Sequence, residues 1–164
     1  MSLSTLFNGS LVVVDAMVII NFHCLLMLDS LISWAKGEVV IEKHVKNEAQ
    51  FSKAGLIDLT PYIQKRLIIE EEIVGKEQED LFYYYFSNKL GGVIIHAAEA
   101  ACLALAISKG YGLVCDEKVV REEFKKKCPN LICTHSWGIV DKANDLGFIR
   151  EQEARDLKKG LYYI

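Results

Sequence analysis

Five acidic side chains stand where they could supply the oxygen ligands of a hard metal ion. They are Asp15, Glu48, Glu99, Asp116 and Glu117. Asp15 and the Asp116-Glu117 pair each follow an apolar run typical of a buried parallel strand, and sites in open α/β sheets form at the carboxyl ends of strands. Because clustered carboxylates repel each other without a cation, such a set is poorly suited to stability alone. We therefore expect the fold to gather four of these acids into a metal site.

Each acid taken singly also has a purely structural explanation. Asp is a good N-cap residue, so Asp15 could cap the helix that follows it, and Asp116 or Glu117 could cap the next helix along the chain. Glu48 alone is typical of a solvated helix acid, whereas Glu99 is the single charge in an alanine-rich run. Capping and metal ligation are compatible roles, so the functional interpretation depends on the set.

Length and composition predict one well-packed domain covering residues 1–164. The chain is 51% hydrophobic and 25% charged, and it has no linker rich in Ser, Gly or Pro and no internal repeat. Its net charge of -3 and sequence pI of about 5.8 argue against a protein that coats nucleic acid by charge alone. They are compatible with an enzyme that binds one strand along a local basic edge.

Cysteine usage and hydropathy predict a cytoplasmic protein without a membrane segment. The five cysteines are odd in number and include no Cys-x-x-Cys pair, which favours reduced, buried thiols over a zinc site. The longest apolar stretch, 11–28, contains Asp15, Asn21 and His23, so it predicts a buried strand and helix rather than a bilayer span. No basic residue precedes this stretch, which argues against a secretory signal.

Hydrophobic patterning predicts strands that alternate with helices. Strands are predicted at 11–14, 38–41, 112–115 and 131–133, with a short extended piece at 56–59. Helices are predicted at 17–34, in two pieces meeting near 29–30, and at 42–53, 62–74, 76–90, 96–109, 118–127, 136–146 and 151–159. The aromatic run 82–86 is interpreted as a packing face rather than a base-stacking platform. The alternation predicts a Rossmann-like, three-layer α/β/α fold with a central, mostly parallel sheet.

Four segments, taken in order, resemble motifs of the PIN-domain family of metal-dependent ribonucleases. They are VVDAMVIIN from Val13, VKNE from Val45, AEAACLA from Ala98 and GLVCDEK from Gly112. The later stretch, 118–149, is similar to one branch of small prokaryotic PIN proteins. Each motif alone is weak, but their ordered combination is more specific and covers nearly the whole chain.

The resemblance implies an activity and a set of ligands. Asp15, Glu48 and Glu99 would be the core ligands of Mg²⁺ or Mn²⁺, and either Asp116 or Glu117 would be the fourth, with the other nearby. The implied reaction is hydrolysis of phosphodiester bonds in single-stranded RNA, for which such ions neutralise charge and activate water. The resemblance further implies the toxin of a toxin–antitoxin pair, a small antitoxin protein that covers the site, and a homodimer.

Three positions depart from the family pattern. Met17 stands where a small hydroxyl or amide residue is usual, His96-Ala97 replaces the usual Gly-Glu and so removes one carboxylate, and Cys115 replaces Ser or Thr. Such changes remove some of the polar groups that orient metal ligands through hydrogen bonds. They favour the alternative of a PIN-fold module that binds RNA or a protein partner without cleaving it.

Basic residues near the acids are predicted to contact the substrate. His96 lies three residues before Glu99 on the same helical face, although it could simply begin the helix, and Lys118 and Arg121 could reach a phosphate. Two other chemistries are discounted. An aspartyl-nucleophile phosphatase needs a second acid two residues after the first, where Met17 stands. The turn after the first strand has no glycine for a phosphate-binding loop.

Overall fold

Five short parallel strands form the central sheet of the protein. The computed structural model describes residues 4–163. In chain order the strands of that part are β1 (Val12–Val14), β2 (Val39–Glu42), β3 (Phe51–Ser52), β4 (Gly55–Leu56), β5 (Ile68–Glu71), β6 (Gly112–Val114) and β7 (Cys133–Thr134). The central sheet has the order β5-β2-β1-β6-β7, and each neighbouring pair is parallel. β3 and β4 form a separate antiparallel hairpin.

Helices flank this sheet, which confirms the predicted three-layer α/β/α architecture. They are α1 (Ala16–Cys24), α2 (Leu28–Ala35), α3 (Lys43–Glu48), α4 (Thr60–Gln64), α5 (Lys76–Ser87), α6 (Ala97–Lys109), α7 (Lys118–Lys127), α8 (Ser136–Asp145) and α9 (Glu151–Tyr162). The helix richest in alanine, α6, is buried along most of its length. The small side chains of α6 let the helix pack closely against its neighbours, and this packing fixes the backbone of Glu99 in its first turn.

The sheet brings the ends of its strands to one edge. β1 pairs in register with β6, and all three residues of β1 are fully buried. The N–H of Asp15 donates to the carbonyl of Val114 at 2.9 Å, and the N–H of Cys115 donates to the carbonyl of Thr134 at 3.0 Å. Pairing thus continues one residue beyond β1 and β6. The residues that follow these strands therefore leave the sheet side by side.

The close spacing of the strands around β6 depends on Gly112. A Cβ atom at this position would lie 2.8 Å from Val12 Cγ1 and 2.9 Å from the carbonyl oxygen of Ile132. Both distances are shorter than packed atoms allow, so a residue without a side chain is needed where neighbouring backbones approach this closely. The strand that delivers Asp116 and Glu117 to the sheet edge begins at this glycine.

The helix predicted at 62–74 is the largest error of the sequence analysis. The helical pattern belongs only to α4, which ends at Gln64, and the chain then adds β5 at the edge of the sheet. Ile68 and Ile69 are β-branched, and Ile68 is buried where β5 pairs with β2. Pairing with an existing strand therefore overrides the helical spacing of the segment.

Other elements differ from prediction at their ends. The helix predicted at 42–53 stops at Glu48, and the β3–β4 hairpin follows where an extended piece was predicted at 56–59. The helix predicted at 17–34 does form two pieces, but they separate after Cys24, where Leu26 has a φ of 60°. Such a left-handed residue ends a helix more sharply than the polar residues at 29–30.

The aromatic run in α5 is a packing face only in part. Tyr85 is buried, whereas Tyr83, Tyr84 and Phe86 are at least half exposed. The apolar stretch at 11–28, in contrast, forms the predicted buried strand and helix, β1 and α1. Within residues 4–163, no helix has the length and apolarity that crossing a membrane requires.

Candidate metal-binding active site

Asp15 is a buried carboxylate at the carboxyl end of the central strand. Its exposed fraction is only 3%. It occupies the N-cap position of α1, yet its side chain makes no capping hydrogen bond there. Two thiols are hydrogen-bond partners of its oxygens: Cys115 Sγ lies 3.5 Å from Oδ2 and Cys102 Sγ lies 3.8 Å from Oδ1. Thiols are weak donors, so these two contacts compensate only a little for the burial of the carboxylate.

The pKa of Asp15 is raised from 3.8 to about 6, with burial as the largest cause. The negative charges of Glu99 and Glu48 also raise this pKa, while the N–H of Ala16 and the Cys115 thiol partly oppose the rise. Like charges affect a pKa in this way only when they lie close to the group. Asp15, Glu99 and Glu48 are therefore neighbours in space, although they come from β1, α6 and α3.

Glu99 connects the acidic group to the start of α6. Its Oε2 accepts a hydrogen bond from the N–H of His96 at 3.1 Å, so the carboxylate also caps its own helix. Burial raises the pKa of Glu99, the His96 backbone and side chain lower it, and the charges of Glu117 and Glu48 raise it again. Glu48 is exposed at the last position of α3, and Glu117 is half-buried. Four carboxylates thus influence one another at this edge: Asp15, Glu48, Glu99 and Glu117.

Asp116 is engaged in a different set of contacts. Its Oδ1 accepts from the N–H of Ser136 at 2.7 Å, and its Oδ2 accepts from the Ser136 hydroxyl at 2.6 Å and from Asn21 Nδ2 at 3.0 Å. These bonds tie the end of β6 to the start of α8 and to the second half of α1. The two adjacent residues therefore differ in their contacts: the charge of Glu117 raises the pKa of Glu99, whereas Asp116 holds neighbouring elements together.

The donor types suit a hard divalent cation, which prefers carboxylate oxygen. None of the ion pairs formed within residues 4–163 involves the five predicted acids, so no Lys, Arg or His neutralises them directly. In that same part of the chain, no three His, Cys, Asp or Glu side chains lie close enough together to hold a metal ion as they stand. The site thus has the charge and chemistry for a cation, while at least one side chain would have to move inward to complete its coordination.

The three predicted substrate contacts lie at the same edge but differ in availability. His96 is exposed at the N-cap of α6, next to Glu99. Lys118 is exposed and forms only a loose ion pair with Glu122, at 3.8 Å. Arg121 is less free, because its Nη1 donates to the carbonyl of Cys115 at 2.8 Å. That bond fixes α7 against the end of β6.

Sequence reasoning missed a buried acid that lies close to the site, Glu42. It is fully buried at the end of β2, and its Oε2 accepts from the N–H of His44 at 2.6 Å, while Oε1 lies 2.9 Å from His44 Nδ1. Its charge raises the pKa of Cys102, one of the two thiols against Asp15. Glu42 caps α3, the helix that carries Glu48. A signal for it existed, since Glu42 ends an apolar β-branched run as Asp15 does.

Comparison of the sequence with models of known protein families assigns the chain to a family. The sequence model of the family described as "DUF3368: PIN domain" matches residues 11–160, from the residue before β1 to within α9. No curated protein matches the chain. PIN domains are in general nucleases that bind RNA and typically use divalent metals such as Mg²⁺. The match spans the whole sheet and every predicted site residue, and the chain belongs to the PIN-domain family.

Proposed function

We propose that this protein is a Mg²⁺- or Mn²⁺-dependent endoribonuclease that hydrolyses phosphodiester bonds of single-stranded RNA. The single observation that carries the proposal is the burial of Asp15 beside other carboxylates without a cationic partner. An arrangement of this kind destabilises a fold on its own account, and it is typical of sites that bind a cation. Family membership supplies the reaction class.

Asp15, Glu48, Glu99 and Glu117 would hold the ion. Bound there, it would supply a water of lowered pKa and neutralise the charge that develops on the phosphate. Asp15 is rigid because it continues the pairing of β1, and Glu99 is restrained by its bond to the His96 N–H. Glu48 is exposed and free to turn inward, which would complete the coordination. Asp116 then acts as a positioning residue that holds Ser136 and Asn21 beside the site.

Metal titration and RNA cleavage together test this proposal. Asp15→Asn and Glu99→Gln should weaken Mn²⁺ binding and lower cleavage of single-stranded RNA by more than about a hundredfold, since losing a group that merely orients a ligand costs about 10–100-fold. Glu79→Gln, an exposed glutamate of α5, is the matched control and should change neither property. Cleavage at the parental rate by both site variants would refute the assignment.

A second candidate function is a PIN-fold module that binds RNA or a protein partner without cleavage. Two observations favour it: no three candidate ligands within residues 4–163 are close enough to hold an ion, and Met17 is 43% exposed where a small polar residue is usual in the family. The same experiment separates the two functions. A binding module would retain RNA in Mn²⁺ without cutting it, and Asp15→Asn would leave that binding unchanged.

The proposal extends to the cellular role suggested by the family resemblance. We place the protein in the cytoplasm as the toxin of a toxin–antitoxin pair, acting as a homodimer and inhibited by a small antitoxin protein that covers the acidic edge. Light scattering of the purified protein tests the homodimer, for which a monomer mass is the contrary result. A short neighbouring reading frame whose product co-purifies with the chain and blocks cleavage would support the antitoxin.

A further inference from the structure

A cavity of about 330 Å³ lies beside the acidic edge, on the side of Asp116. It is lined by Asn21, Asp116, His135, Ser136, Trp137 and Leu161. Asp116 and Ser136 follow β6 and β7, so the cavity opens at the same edge of the sheet as Asp15. Its lining combines one large aromatic ring with several polar groups, which is unlike the apolar lining of a packing defect.

Trp137 presents an exposed indole ring to this cavity. Its exposed fraction is 43%, whereas the other tryptophan, Trp34, is buried against Phe148. Lys158 Nζ lies 6.0 Å from the centroid of the Trp137 ring and 2.8 Å from Asp141 Oδ1, so an ion pair borders the ring on the side of α9. The backbone around the ring is tightly fixed, because a Cβ atom on Gly138 would collide with Thr134 Oγ1. The first turn of α8, which carries this ring, therefore packs closely on β7.

Two polar side chains complete the lining with a donor and an acceptor. His135 Nδ1 accepts from the N–H of Gly138 at 2.9 Å, which leaves Nε2 to carry the proton as a donor. Asn21 Nδ2 donates to Asp116 Oδ2, and this fixes the orientation of the amide. Its buried Oδ1 has no hydrogen-bond partner within the described residues. An unpaired buried acceptor is unfavourable unless a ligand supplies a donor.

We propose that this cavity is a subsite for one nucleobase of single-stranded RNA, stacked on Trp137 and contacted at its polar edge by His135 and Asn21. The inference rests on the proposed function, because it takes RNA as the substrate. Base–aromatic stacking is available to every base, and base edges carry the matching donors and acceptors. The subsite positions the strand so that a neighbouring phosphate reaches the carboxylates.

Binding of a ten-nucleotide RNA in EDTA, where cleavage is suppressed, tests the subsite. RNA should quench the fluorescence of the parent protein, and the component contributed by Trp137 should be missing in Trp137→Phe. Trp137→Ala should weaken binding by about tenfold, Trp137→Phe by less, because stacking on an aromatic ring is lost in the first and partly kept in the second. Tyr83→Ala removes an aromatic residue that is 62% exposed on α5, away from the cavity, and should bind as the parent does.

Cleavage kinetics separate a failure of the subsite from a failure of the nuclease. Trp137→Ala should raise KM about tenfold with little change in kcat, since stacking acts on binding. Asp15-dependent cleavage with an unchanged KM in Trp137→Ala would overturn the subsite and leave the nuclease standing. Quenching in the parent and weakened binding in Trp137→Ala, with no cleavage by the parent, would support the subsite and refute the nuclease. RNA binding without quenching, or no RNA binding, would overturn the subsite.

Discussion

Replacing Asp15 by Asn removes a buried negative charge and keeps the size of the side chain. Burial, with Glu99 and Glu48 nearby, raises the pKa of Asp15 from 3.8 to about 6. Because the folded state binds the proton more tightly, this proton contributes stability that is complete below pH 3.8 and is lost as the pH rises through 6. A pKa rise of about two pH units corresponds to about 3 kcal/mol. At neutral pH the ionised carboxylate therefore destabilises the fold by about that amount relative to acid pH.

Asp15→Asn should consequently be more stable than the parent at about pH 7.5, by up to about 3 kcal/mol. The difference should shrink toward zero as the pH approaches about 4, where the parent carboxyl is also neutral. Urea unfolding at several pH values in EDTA measures both free energies without a contribution from metal. Asp145→Asn, at the exposed end of α8, is the matched control and should show no such pH-dependent gain.

A stability difference that stays constant from about pH 4 to 7.5 would refute this reasoning, because it would mean that Asp15 does not titrate as a buried acid. Adding Mn²⁺ should reverse the ranking at neutral pH. A cation that binds only the folded parent stabilises it by about 2.7 kcal/mol at a hundred times its Kd, and the variant should gain far less. Equal stabilisation of both proteins by Mn²⁺ would exclude Asp15 as a ligand.

Three further predictions concern groups around the site. Asp116→Asn should lower the free energy of urea unfolding by about 1–3 kcal/mol, because it weakens charge-assisted hydrogen bonds to α8 and α1. Glu117→Gln should leave this free energy unchanged and weaken Mn²⁺ binding. Equal losses of stability in the two variants would contradict the separate roles of Asp116 and Glu117. Gly138→Ala should destabilise the fold by about 1–3 kcal/mol in thermal melts, because its methyl group would collide with Thr134 Oγ1 of β7. An unchanged melting temperature would show that β7 moves to accommodate the methyl group. Burial raises the pKa of the Cys102 and Cys115 thiols, so neither should react with iodoacetamide at about pH 8 until urea is added; peptide mass spectrometry of the folded, labelled protein decides the point.

The alternation of elements could be predicted from sequence because each buried strand is a short β-branched run between helical patterns. The four strands that were predicted, at 11–14, 38–41, 112–115 and 131–133, all lie in the sheet, with small shifts at their ends. β5 was not predicted because its residues favour the edge of a sheet only when β2 is already there to pair with them. An edge strand in which two of four residues are glutamates carries little hydrophobic signal of its own, so its helical spacing was misleading.

Part of the candidate site could also be read from the chain. Asp15 was found because a carboxylate after a fully buried strand has no packing role. The different contacts of Asp116 and Glu117 could not be predicted from the sequence. Consecutive residues after a strand point in different directions, and the position of α8 determines which of the two hydrogen-bonds with Ser136. Whether these acids hold a metal stays a prediction. The sequence predicts neither Trp137 nor Asn21 as a site residue, because they line a cavity formed by helices that are distant in sequence.

The two thiols beside Asp15 leave the negative charge of its carboxylate largely unneutralised. A hydroxyl in the position of Cys115 would donate a strong hydrogen bond to the carboxylate and stabilise its ionised form within the protein. The thiol at 3.5 Å does so only weakly, so more of the negative charge is left for an external partner to neutralise. A proton can serve as that partner in acid, and a divalent cation can replace it at neutral pH, which links metal affinity to the same burial that raises the pKa of Asp15. Met17 and Ala97 remove groups that orient the ligands, and they leave this unneutralised charge unchanged.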